Sequence, residues 1–361
     1  MFRSEKIRKI LRCAAFLCIL ALLAHGEERI LNAKGAEDLS SAYFSEPKDS
    51  HDIIMLGPST IMNGVYPLLL WNRYGYTAYN LGAGNETIEC SYYLAKRAIR
   101  QDHPRLIILD CGLLRKEDVI DSFSFLHFVT DRMPFLSPER LELLAHLAVY
   151  GKPSLGGLLK LCFPLLEYHE RWADLTEADF AEQDKTITYG AKVDPRKMSR
   201  APEPFAMREG NPDAVLPAHS DRMLRKLIGL CKETGTGLLL VSMPTLNKTK
   251  YIGQKTYEAR VDTAAAVGKI AAELDVPYIN LVNDGSPFGL SLTDDTVEGF
   301  HLNVYGAEKF TNWIGEWISG KFDLEDRRGD ARFSYLDERY EAFRSYVRER
   351  TGGYELKEQD L

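Results

Sequence analysis

From residue 52 onward, short unbroken apolar runs alternate with segments of helical spacing, and this alternation limits the fold more than any other feature of the chain. The runs are residues 53–56 (Ile-Ile-Met-Leu), 77–81, 106–109, 237–241 and 277–282. Helical spacing occupies residues 87–100, 220–234, 257–274 and 304–318; in the first of these, Ile88, Tyr92, Leu94 and Ile99 supply one buried stripe. A strand that is apolar at every position has to be covered on both faces. Such strands alternating with helices predict an α/β chain: a parallel central sheet between two helical layers, a three-layer α/β/α sandwich. A sheet of this kind takes its ligand beyond the carboxyl ends of its strands.

Residues 113–217 break the rhythm. About a hundred residues between two strands is too long for a simple crossover, so a large helical and irregular insertion is expected, forming a lobe over the strand ends. It holds a helix candidate at 137–147 opened by Ser137-Pro138-Glu139, an aromatic run Tyr168-His169-Glu170-Arg171-Trp172, and a polar excursion over 182–209. The main domain is expected over residues 40–325. Beyond it, residues 326–361 form a charged tail in which Leu336, Tyr340, Phe343 and Val347 keep helical spacing, predicting a docked amphipathic helix.

At the other end, Lys6, Arg8, Lys9 and Arg12 precede an apolar run of twelve residues, 13–24. As a helix it would be about 18 Å long, short of the ~30 Å hydrocarbon core. A basic start and a short apolar centre predict that residues 1–26 are an export signal, with Ala24-His25-Gly26 as the small-x-small cleavage candidate, or an uncleaved anchor with the same orientation. The expected location is therefore the outer face of the cell membrane or beyond it. With 45 basic against 52 acidic residues, net −7, and no Lys/Arg run past the first dozen positions, nucleic acid is not an expected partner. The six cysteines, Cys13, Cys18, Cys90, Cys111, Cys162 and Cys231, contain no CxxC pair; isolated buried thiols, with room for one disulfide in an exported protein, are expected.

Two short segments carry candidate chemistry. Ser59 follows the first apolar run in the order strand, Gly57-Pro58-Ser59, helix, which would set its hydroxyl at a helix start. Far downstream stands Asp294-Asp295-Thr296-Val297-Glu298-Gly299-Phe300-His301-Leu302-Asn303. Asn303 is the obvious cap of the helix that follows, which leaves His301 free; a carboxylate three residues earlier could orient one ring nitrogen while the other takes a serine proton. There is no GxSxG elbow, GxGxxG turn or Walker A loop. A metal centre on His301 with Asp294 or Asp295 lacks a second histidine at ligand spacing, so no metal and no cofactor are expected.

The Gly57-x-Ser59 start, the glycine turn Gly82-Ala83-Gly84-Asn85 and the run His301-Leu302-Asn303-Val304-Tyr305-Gly306-Ala307 resemble the SGNH (GDSL-like) hydrolase superfamily. The likeness is closer to its exported bacterial branch, similar to the D-alanyl-lipoteichoic-acid biosynthesis protein and alginate O-acetylation proteins, and the Tyr168–Trp172 run strengthens it. The resemblance implies a flavodoxin-like SGNH fold, with Ser59 as nucleophile and His301 as general base. It places the acid at Glu298, where the family has Asp, with Asp295 as a substitute on the same loop. The oxyanion donors would be the Gly82 amide and that of Ser59, with Asn85 as a further candidate. The family's Gly-x-Asn after the third strand is replaced by Asp110-Cys111-Gly112. His169, Arg171 and Trp172 would contact substrate from the lobe. The implied activity is a serine-dependent O-acyltransferase or esterase acting on a cell-envelope polysaccharide or teichoic-acid-like acceptor, with a membrane-bound O-acyltransferase as partner; the alternative is an inactive SGNH-like accessory protein for such a system.

Overall fold

A computed structural model describes residues 39–115, 123–151, 153–180, 186–250 and 252–357, and of the first 38 only residues 6–9, 11–13, 15, 16, 19, 30 and 31. In chain order the main elements are β1 (Ile53–Leu56), α1 (Pro67–Tyr74), β2 (Ala78–Asn80), α2 (Ile88–Asp102), β3 (Leu106–Asp110), α3 (Pro138–Tyr150), α4 (Leu155–Cys162), α5 (Ala218–Thr234), β4 (Gly237–Ser242), α6 (Gln254–Leu274), β5 (Tyr278–Asn280), α7 (Val304–Ile318) and α8 (Tyr335–Thr351). The five strands form one parallel sheet in the order β2-β1-β3-β4-β5. Register places Ile53 beside both Ala78 and Leu106, Leu106 beside Gly237, and Leu240 beside Tyr278. β1 and β3 are buried at every residue, as their uninterrupted apolar sequences require. Helices α1, α7 and α8 pack together, as do α2, α3 and α5, so the sheet lies inside a three-layer sandwich.

Local chemistry sets the helix limits. Thr87 caps α2 by accepting from the Cys90 amide, Ser137 caps α3 at Arg140, and α1 opens on Pro67 and stops at Gly75, whose φ of +69° ends the helix without a Cβ penalty. The strand order is the doubly wound one in which β1 leads to β2 on one side and to β3 on the other. The loops after β1 and β3 part at that point and leave a crevice, which is where Ser59 lies.

Residues 189–194 depart from the loose excursion expected over 182–209. Tyr189, Ala191 and Val193 are buried; the Asn80 amide donates to Tyr189 O at 3.0 Å, and the Val304 amide donates to Asp194 O at 2.9 Å. β2 is an edge strand with unpaired backbone groups, and a segment apolar at alternate positions can dock on it. The tail forms α8, with Leu336, Tyr340, Phe343 and Val347 all buried. Cys90, Cys111 and Cys231 are buried free thiols. Most of the apolar run 13–24, and with it the expected signal or anchor, lies outside the described residues; no helix among the described residues is long and apolar enough to cross a membrane.

Candidate active site

The turn after β1 is fastened to its surroundings at three points. Gly57 has φ +131°, and a Cβ there would lie 2.9 Å from Asp110 Cβ, so only glycine fits. Its amide donates to Glu86 Oε1 at 3.1 Å, and the Thr60 hydroxyl donates to the Asp110 carboxylate. Burial raises the pKa of both acids, that of Glu86 to about 8. Ser59 opens a single helical turn, Ser59–Met62, and its carbonyl accepts from the Asn63 amide at 2.9 Å and side chain at 2.6 Å. The expected helix after Ser59 is thus one turn long, too short to lend the serine a helix dipole.

The histidine arrives on a tight hairpin. Thr296 and Leu302 form an antiparallel bridge, the Val297 amide donates to His301 O at 2.9 Å, and the Gly299 amide donates to Thr296 Oγ1 at 2.7 Å. Asn303 anchors the hairpin to α7. It is fully buried; its Oδ1 accepts from the Tyr305 and Gly306 amides, while its Nδ2 donates to Arg196 O and Asp294 O. This brings His301 Nε2 to 2.8 Å from Ser59 Oγ, across 242 residues of chain. On the other ring nitrogen, Nδ1 is hydrogen-bonded to Glu298 Oε1, which also accepts from the His301 amide at 3.3 Å. A carboxylate accepts from Nδ1–H, so this bond holds the tautomer whose bare Nε2 can take the serine proton.

Asp295 does not share this task. It is 1% exposed, accepts from the Ser291 amide at 2.7 Å and pairs with Lys309 at 2.7 Å, so it braces the start of the loop. Glu298 reaches His301 because the hairpin folds back on itself at Gly299. Gly82 is also placed differently from the expectation: its amide donates to Asn80 Oδ1 at 3.1 Å, which commits that donor elsewhere. Asn85, in the left-handed conformation at φ +50°, lies on the wall of the Ser59 cavity. His169, Arg171 and Trp172 are absent from that wall. His169 bonds Leu166 O at 3.0 Å, Arg171 donates to Leu31 O and pairs with Asp179 at 3.3 Å, and Trp172 is 72% exposed. The aromatic run organises its own lobe through Tyr168, whose hydroxyl donates to Asp131 at 3.1 Å.

The cavity beside Ser59 and His301 has a volume of about 520 Å³. Sequence reasoning missed an arginine on its wall, Arg260 of α6. The guanidinium sits 4.5 Å from the centre of the Phe300 ring, and its Nη1 lies 3.5 Å from Thr245 Oγ1. Nη1 is also 3.5 Å from where a Cβ on Gly112 would be. A cationic donor thus borders the space beside Gly112, the position at which the Gly-x-Asn pattern would have put an asparagine. No local pattern links positions 112 and 260; only the packing of α6 against the loop after β3 does. Thr60–Asp110 and Gly57–Glu86 were likewise hidden, because each joins separate elements.

No protein-family model and no curated protein matches the chain. Among solved structures it is similar to a protein given as an acylhydrolase from Bacteroides fragilis, at 9% identity and TM-score 0.36, covering 78% of this chain and 93% of that one. It is similar to a GDSL-like lipase from Bacteroides thetaiotaomicron at 8% identity and TM-score 0.35, covering 74% and 88%. A lipase/acylhydrolase from Enterococcus faecalis matches at 13% identity and TM-score 0.35, covering 76% and 98%.

Proposed function

We propose that this chain is an SGNH-type serine acyl-transfer enzyme in which Ser59 is the nucleophile, His301 the general base and then acid, and Glu298 the group that orients His301. The observation that carries this reading is the unbroken contact from Glu298 through His301 to Ser59 at the carboxyl end of β1. Ser59 Oγ attacks an ester or thioester carbonyl while its proton passes to His301 Nε2. Glu298 stabilises the resulting imidazolium. Collapse of the tetrahedral intermediate expels the leaving group, which takes the proton from His301, and an acyl-Ser59 remains. Water then releases the acyl group, or an alcohol accepts it.

The tetrahedral oxyanion needs fixed donors. With the Gly82 amide bonded to Asn80, the groups on the cavity wall that suit the task are Arg260 and Asn85. As acceptor we propose a hydroxyl of a cell-envelope glycopolymer, with the chain exported and held at the membrane through residues 1–26 and working beside a membrane-bound acyltransferase. The basic-then-apolar start and the sequence resemblance support that part. The inactive accessory reading draws on the missing Gly-x-Asn and predicts no turnover.

The test is turnover of short-chain aryl esters with and without a polyol. Release of the aryl alcohol by the wild-type chain and not by Ser59→Ala, with part of the acyl group recovered on the polyol, is the expected result. Acyl product found only as free acid would reduce the activity to hydrolysis, and equal turnover by both proteins would refute the reading.

A further inference from the structure

A second cluster of side chains opens on the same cavity, at a distance in sequence from the serine relay. Glu89 stands in the first turn of α2, His219 in the first turn of α5, and His146 near the end of α3. One ligand atom from each lies within 4.8 Å of the other two. Glu89 is 1% exposed. Its Oε1 is bonded to His219 Nε2, while its Oε2 and the Nε2 of His146 are buried with no hydrogen-bond partner among the described residues. A buried polar atom left unmatched is costly, and two of the three residues of the cluster carry one. Glu89 and His219 also line the cavity that holds Ser59.

We propose that Glu89, His146 and His219 bind a divalent metal ion of the zinc class, with an open coordination position facing the Ser59 cavity. Two imidazoles and one carboxylate are a ligand set that zinc favours, and three protein ligands leave a fourth position for water or a substrate oxygen. Ligands on a tetrahedral zinc stand roughly 3.4 Å apart for metal–ligand distances of about 2.1 Å, so the cluster has to close by about an ångström through side-chain rotation. An anion is excluded by the Glu89 carboxylate.

Two cations press against the cluster and shape its chemistry. Arg222 Nη2 donates to His219 Nδ1 at 2.9 Å. Because a guanidinium only donates, the ring proton of His219 is on Nε2, shared with Glu89. Metal capture at Nε2 moves that proton to Nδ1 and turns Arg222 away toward solvent; Lys226, the other cation near His146, already lies over the Tyr92 ring at 5.4 Å. The open position would then hold a hydroxyl or phosphate oxygen of the acceptor within the cavity. This assignment stands apart from the Ser59 chemistry, since the two sites share no residue.

The test is titration of the full chain, first stripped with a chelator, with Zn²⁺ by calorimetry and with Co²⁺ by visible absorption. The expected result is one ion per chain, with the absorption pattern of tetrahedral or five-coordinate cobalt. Glu89→Gln and His146→Gln should weaken binding by at least the roughly 10–100-fold that loss of even an outer-shell partner costs. Ser59→Ala and His301→Ala should bind as the wild type does, whatever their effect on acyl transfer. Far-UV circular dichroism establishes that each variant is folded. Failure of the wild-type chain to bind, as a bridging water in place of the ion would give, overturns the proposal. So does binding that survives both Glu89→Gln and His146→Gln, or that disappears with His301→Ala.

Discussion

Replacing Glu86 by glutamine tests whether the turn that carries Ser59 is held by a protonated acid. Burial raises the Glu86 pKa from 4.5 to about 8. Its Oε1 accepts from the Gly57 amide and the Ser91 hydroxyl; Oε2 is buried. The folded chain therefore keeps a proton that the unfolded chain gives up as pH climbs from 4.5 to 8. Stability from this group is complete below the lower value and is lost as pH rises toward the upper one. Between pH 4.5 and 7 the loss comes to about 3 kcal/mol, at roughly 1.4 kcal/mol per unit. Glutamine keeps the acceptor oxygen and puts a donor where the acid proton sits, but has nothing to ionise. The stability difference, Gln variant minus wild type, should therefore grow by about that amount over the window, as read by urea unfolding at half-unit pH steps. Parallel curves for the two proteins would mean that Glu86 is ionised in the fold, and the reasoning would fail.

Three further outcomes follow from the site. Arg260→Ala should lower kcat on a neutral aryl ester by about 10²-fold with little change in KM, the cost of losing one oxyanion donor; a change confined to KM would move Arg260 from the oxyanion to substrate binding. Glu298→Gln should keep the fold and reduce kcat by about 10²–10⁴-fold through the wrong histidine tautomer, and an unchanged rate would remove Glu298 from the relay. Asn303→Ala loses the α7 cap and the bonds to Arg196 O and Asp294 O. It should cost about 2 kcal/mol in chemical denaturation and lower activity by loosening the hairpin that carries His301.

The sheet was legible because strands buried on both faces are apolar throughout: Ile53–Leu56 begins and ends where expected, and 106–109 gains only Asp110. The helix Val304–Ile318 was equally plain, since Asn303 marks its start. What escaped depends on contacts between distant segments. Tyr189, Ala191 and Val193 alternate within a polar stretch, a strand-like signal that net polarity masks until β2 presents an edge for them. Trp172 and Arg171 carry the side chains of a sugar site, yet residue type alone could not place them in the Ser59 cavity. Gly82 sits in the turn the family pattern indicates, but its amide is committed to the Asn80 side chain, whose Nδ2 is held by Ile61 O and Val65 O. Glu89, His146 and His219 are spread over 130 residues, so ligand spacing along the chain cannot reveal them.

The account turns on Ser59 Oγ being the atom that becomes acylated. Incubation with a serine-directed fluorophosphonate, followed by intact-mass measurement and peptide mapping, tests this most directly. The wild-type chain should take up one label, mapped to the peptide containing Ser59, at a rate that falls steeply in His301→Ala and to nothing in Ser59→Ala. A label that persists in Ser59→Ala, or that maps to another residue in the wild type, would contradict it.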